Sequence, residues 1–167
     1  MKDIEEKLSW LARNYTEDQT FGKWSNPESK LVSLLLVFDS QVLNGGLLQW
    51  YGNPCGDFLK ETVRCFELVN CPEISNRLKG YCENYFGTLK FTSYENRSII
   101  IGDLLGRPEN RSAIIEGFDY WYEDQREFFV EKLMNFLQSN DRDKTKVPVT
   151  ENGQKKGSRS ENETDTV

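Results

Sequence analysis

The sequence predicts an all-α fold: a single compact helical domain of five to seven helices over residues 1–139, followed by a disordered polar tail over residues 140–167. Three observations predict it. Apolar residues recur at three- and four-residue spacings, as one buried helix face requires. Glycine and proline punctuate those runs at helix-length intervals, and neither an alternating hairpin pattern nor a fixed-period repeat appears. Aromatic residues make up 13 % of the chain, enough bulk to bury a core.

Taken in order, the first helix carries Ile4, Leu8, Leu11 and Tyr15, a four-three-four spacing that makes one apolar stripe. Ser25, Asn26, Pro27 and Glu28 then offer a cap, a proline for the first helical position and a capping-box glutamate. Residues 31–43 are apolar nearly all round, as a central helix enclosed by others would be. Asn44, Gly45 and Gly46 supply the left-handed residue that ends such a helix. After Pro54, residues 57–70 place Phe58 or Leu59, Val63, Phe66 and Val69 on one side. Pro72 opens a helix bearing Ile74, Leu78, Tyr81, Cys82, Tyr85 and Phe86, which Gly87 stops. Thr92 and Glu95 form a capping box ahead of Ile99, Ile100, Ile101, Leu104 and Leu105, where three isoleucines also allow a short strand. The last helix starts near Pro108 or Asp119, runs to Gln138 and buries Phe118, Tyr122, Phe129, Leu133 and Phe136.

From residue 140 onward there is no aromatic residue, and three valines are the only large aliphatic side chains. Such a composition cannot offset the entropy of ordering. This stretch holds six basic and six acidic residues, so the net charge of −6 belongs wholly to residues 1–139.

Composition excludes several function classes. Zero histidine removes Ser-His-Asp and Cys-His catalysis and every imidazole metal site. The acidic balance argues against a surface for nucleic acid or anionic lipid. Cys55, Cys65, Cys71 and Cys82 include no C-x-x-C pair, so zinc and dithiol chemistry are not indicated, and buried reduced thiols are expected. The start lacks a secretory pattern and the run 31–38 is too short for a bilayer, so the expected location is cytoplasmic and the sequons at Asn14, Asn96, Asn110 and Asn162 idle. Phosphate-binding glycine loops and a nucleophile elbow are absent. The expectation is a protein without catalytic residues, metal or cofactor.

Two constellations remain. Asp39 and Gln41 stand just ahead of Asn44, Gly45, Gly46, Gln49, Trp50, Tyr51 and Asn53. These amides and the carboxylate either line a small-ligand or enzyme site or, as amides near helix ends usually do, repair backbone hydrogen bonding. The second is acidic. Glu116, Asp119, Glu123, Glu127 and Glu131, with Asp124 beside them, follow steps of three, four, four and four opposite the aromatic stripe. Residues 109–131 carry seven acids against Arg111 and Arg126, a local charge of −5. One carboxylate per turn, about 6 Å apart, imitates a phosphate backbone and suits a basic protein surface, while a solvated face is the plainer alternative.

Asn44, Gly45, Gly46, Gln49, Trp50, Tyr51 and Asn53 resemble the N-G-G-x-x-Q-aromatic-aromatic-x-N signature of a small all-helical domain family of unknown function. Its best-known member is an acidic bacterial DNA-mimic protein. Residues 118–122 onward also resemble the family's closing helix, and the likeness spans residues 1–139. The resemblance implies an all-α fold, no catalysis and, for the DNA-mimic member, a decoy whose carboxylates occupy the DNA-binding surface of a transcription factor. The signature itself is expected to build the fold. This chain departs from the mimic pattern in its mild charge and in Gln41, where an acid is expected. The leading expectation is therefore an acidic binding protein whose partner offers a basic surface, such as a DNA-binding protein, through Glu116, Asp119, Glu123, Asp124, Glu127 and Glu131. It binds neither nucleic acid nor membrane directly, and a homodimer is compatible with it. The runner-up is an immunity-type inhibitor of a nuclease toxin.

Overall fold

A computed structural model describes residues 2–16, 21–85 and 94–144. The helices are α1 (Lys2–Tyr15), α2 (Pro27–Gly52), α3 (Leu59–Leu68), α4 (Pro72–Tyr85), α5 (Tyr94–Leu105), α6 (Pro108–Ile114) and α7 (Tyr120–Lys144). A 3-10 turn, Pro54–Phe58, leads into α3, and a π-turn, Ile115–Asp119, joins α6 to α7. The described residues contain no strand, so the three isoleucines lie in a helix, α5. Phe86, Gly87 and Thr92 lie outside the described residues, as does the chain from residue 145. Helix α7 runs past the expected domain boundary at residue 140, to Lys144.

Local chemistry sets the ends. The Asn26 side chain accepts the Ser29 N–H at 2.8 Å and Pro27 takes the first helical position. Glu28 is thus the second helical residue, one short of capping-box register with Asn26. Helix α3 closes in a Schellman motif. Asn70 is left-handed at φ 59°, the Cys71 N–H reaches the Phe66 carbonyl and the Asn70 N–H the Glu67 carbonyl.

Helix α2 is the hub, packed by α1, α3, α5, α7 and the two irregular turns. By length and composition alone it is apolar enough to cross a membrane. Here its apolar surface goes into the core around Phe38, which meets Trp50, Phe66, Phe118 and Tyr122 edge-on at 4.9–6.3 Å between ring centres. Such pairs add about 0.5–1.5 kcal/mol each beyond burial. Ile4, Leu8 and Leu11 of α1 and Phe129, Leu133 and Leu137 of α7 complete this core, while Phe136 is half-buried.

Candidate functional site

The acidic face lies on the π-turn and α7. Glu116, Glu123, Asp124, Glu127 and Glu131 are all exposed. Arg126, the cation in the middle of this row, turns inward. Its guanidinium grips the buried Asp39 of α2 with Nε to Oδ1 at 3.0 Å and Nη2 to Oδ2 at 3.0 Å, while Nη1 reaches Glu5 of α1 at 2.8 Å. The Tyr122 hydroxyl also donates to Asp39 Oδ1, at 3.1 Å. Arg126 is thereby spent on α1 and α2 rather than on the carboxylates of its own helix. Lys132 sits over the Phe128 ring at 5.1 Å. Lys7 of α1 is bound to Asp3, which raises its pKa, with smaller contributions from Glu131 and Glu127 across the helix pair. Two apolar rings share the outer side of α7: Tyr120 is 62 % exposed and Phe128 46 %.

Asp119 does not stand in this row. It is half-buried, and its Oδ1 accepts the Leu47 N–H at 2.8 Å. Burial pushes its carboxyl up to about 6, and the Leu47 N–H opposes that shift.

This contact explains the glycine pair. Helix α2 does not end at Asn44; it breaks at Gly45 and Gly46 and resumes to Gly52. Gly46 has φ 77° and ψ 179°, a region essentially closed to residues with a Cβ. The resumed segment exposes fresh amides at its start, and Asp119, 72 residues further on, supplies the cap. A Cβ on Gly46 would stand 2.3 Å from Asp119 Oδ2.

The amides of the signature pair with one another across the break. Gln41 Oε1 accepts from Gln49 Nε2 at 3.0 Å and from Asn53 Nδ2 at 2.5 Å, and Gln49 Oε1 accepts from Asn44 Nδ2 at 3.3 Å. Trp50 and Tyr51 are buried. Asp39 and Asn44 do border an open groove of about 490 Å³ with Glu5, Leu8, Leu43 and Arg126. Its charged groups are nevertheless already matched to each other.

Arg97 of α5 was invisible in the sequence as a functional or structural site. It is 1 % exposed, donates to the carbonyls of Tyr51 (2.8 Å) and Asn53 (3.1 Å) and pairs with Asp57. A cation there suits the negative end of α2. The only hint was a lone arginine entering an apolar run; its acceptors are backbone atoms that no sequence spells out.

The four cysteines are free and buried, and burial pushes Cys55, Cys65 and Cys71 up to about 11. Thiols so protonated are poor nucleophiles and ligands. Among the described residues, no group of three or more Asp, Glu or Cys converges as a metal site would.

The family of DMP19-like proteins matches residues 25–140. The chain belongs to this family. The match takes in the whole of α2 with its broken centre, the π-turn with Asp119 and nearly all of α7. Both sides of the Gly46–Asp119 contact thus lie within the family's extent, as do all the exposed carboxylates. Comparison with characterised proteins and with solved structures gives no match.

Proposed function

We propose that this DMP19-like protein is a non-enzymatic, cytoplasmic binding protein that works as a DNA-mimic decoy. Its acidic α7 face occupies the basic, nucleic-acid-binding surface of a partner protein. The observation that carries the reading is the inward turn of Arg126, which leaves Glu116, Glu123, Asp124, Glu127 and Glu131 exposed beside one another. Row charges at one-turn spacing repel, and an unoccupied row costs each helix pair a few tenths of a kcal/mol. A basic partner relieves that repulsion. The signature residues Asn44, Gly45, Gly46, Gln49, Trp50, Tyr51 and Asn53 are read as structural, because their polar atoms satisfy the break in α2.

The test is affinity capture from native lysate at low salt, with the wild type and with a Glu123→Lys, Glu127→Lys, Glu131→Lys variant. Under the proposal the wild type retains a DNA-binding protein that double-stranded DNA displaces, and the folded variant does not. Equal capture by both, or retention that DNA leaves untouched, removes the decoy reading.

A further inference from the structure

Ser33 interrupts the apolar run of α2, and its side chain is buried without a partner. It is 6 % exposed, lines a pocket between α1, residues 21–24 and α2, and makes no hydrogen bond among the described residues. Serine inside a helix ordinarily returns its proton to the carbonyl one turn back. A hydroxyl that does not, and is buried as well, is costly unless something else accepts from it.

The rest of the wall offers further donors. Leu36, Val37, Ser40 and Gln41 stand three, four, seven and eight residues after Ser33, so one face of α2 lines the pocket. Gln41 Oε1 is held by Gln49 Nε2 and Asn53 Nδ2, which leaves Nε2 as the unbonded end of that amide. The rings of Phe21 and Trp24 meet edge-on at 5.7 Å and are braced on Phe58 at 5.3 and 5.2 Å. The Trp24 indole N–H is itself buried with no acceptor. Charged residues make up 29 % of the chain, yet among the described residues none lines this pocket. The groove beside Arg126 has three charged side chains in its wall, and the groove between α2, α3 and α7 has four.

We propose that this pocket binds a small, neutral, planar molecule bearing a carbonyl or ring-nitrogen acceptor. Its volume of about 290 Å³ lies at the small end for ligand sites. The braced rings present flat faces and edges to an aromatic guest. Ser33 and Gln41 supply donors whose natural counterpart is an acceptor on that guest. An ionic guest would give up its water for a wall with no countercharge, which disfavours it. The pocket shares no residue with the acidic face, so this site stands whether or not that face captures a partner.

The experiment titrates the full chain with three probes of one shape: neutral benzamide, anionic benzoate and cationic benzamidinium. The readout is the NMR cross-peak of the Trp24 indole N–H, identified among the four tryptophans by its loss in Trp24→Phe. Benzamide should move that peak saturably at about millimolar concentration, and both ionic probes should bind about tenfold more weakly or not at all. Ser33→Ala should weaken benzamide about three- to tenfold, and Ala12→Leu, which fills the pocket from α1, should abolish the shift. Absence of a saturable Trp24 shift, equal affinity for all three probes, or binding that survives Ala12→Leu overturns the proposal. The three-probe comparison on the wild type decides even if a variant does not fold.

Discussion

Adjacent glycines at the break in α2 should respond very differently to one methyl group. Alanine at position 46 must adopt φ 77°, ψ 179°, at a cost of roughly 1–3 kcal/mol. Its Cβ would also meet Asp119 Oδ2 at 2.3 Å and drive the carboxylate off the Leu47 amide. Losing that charge-assisted bond adds about 1.5–3 kcal/mol, for a total of about 3–5 kcal/mol. Position 45, at φ −157° and ψ 22°, is not left-handed, so alanine there escapes the penalty it meets at position 46. There the Cβ conflicts with Gln49 Oε1 at 2.0 Å, the far end of a flexible side chain. Displacing it loosens the link to Asn44, a loss of about 1 kcal/mol that the stiffer unfolded chain partly offsets. Thermal unfolding followed by the fluorescence of the buried Trp50 and its neighbours measures both. Gly46→Ala should lower Tm by roughly 10 °C and Gly45→Ala by a few degrees at most. Adding Asp119→Ala to Gly46→Ala should cost little more, because the two act on one contact. Equal losses for the two glycines, or full additivity with Asp119→Ala, would refute the capping argument.

Other perturbations probe the remaining internal contacts. Arg97→Met strips a donor from the Tyr51 and Asn53 carbonyls and a partner from Asp57, and should cost about 3 kcal/mol in a denaturant titration. Arg126→Leu leaves the buried Asp39 without its cation and should cost about 3–5 kcal/mol; the double variant with Asp39→Leu should recover most of that loss. Native protein should react with a thiol reagent far more slowly than unfolded protein at mildly alkaline pH, because burial holds Cys55, Cys65 and Cys71 protonated up to about 11.

Much of the fold was written locally. The Ile4, Leu8, Leu11 stripe, the Asn26–Pro27 cap and the aromatic period of α7 depend on neighbours in sequence, and each element forms where those signals stand. What could not be read is what distant residues decide. Asn44, Gly45 and Gly46 signal a helix end and a helix break identically; Asp119 makes it a break by capping the resumed segment from across the fold. The same contact withdraws Asp119 from the acidic row in which its spacing had placed it. Arg126 counts against the acids of that segment in the sequence, and its pairing with Asp39 and Glu5 spends its charge on α2 and α1. The π-turn also escaped the sequence, since a single inserted residue leaves the four-residue step from Ile114 to Phe118 to Tyr122 intact.

These withdrawals sharpen the functional reading. The row left outside is shorter than the sequence suggested but less neutralised, and Tyr120 and Phe128 give it apolar contact area alongside charge. Charge complementarity governs encounter and register at such a face, and exposed aromatic rings supply anchoring.

The most direct measurement is the affinity of a captured basic partner for the wild type and for the Glu123→Lys, Glu127→Lys, Glu131→Lys variant across a salt series. The account predicts that wild-type affinity falls steeply with added salt, as screening of opposed charges requires, and that the folded variant loses binding at every salt concentration. Binding indifferent both to salt and to the three reversals would contradict it.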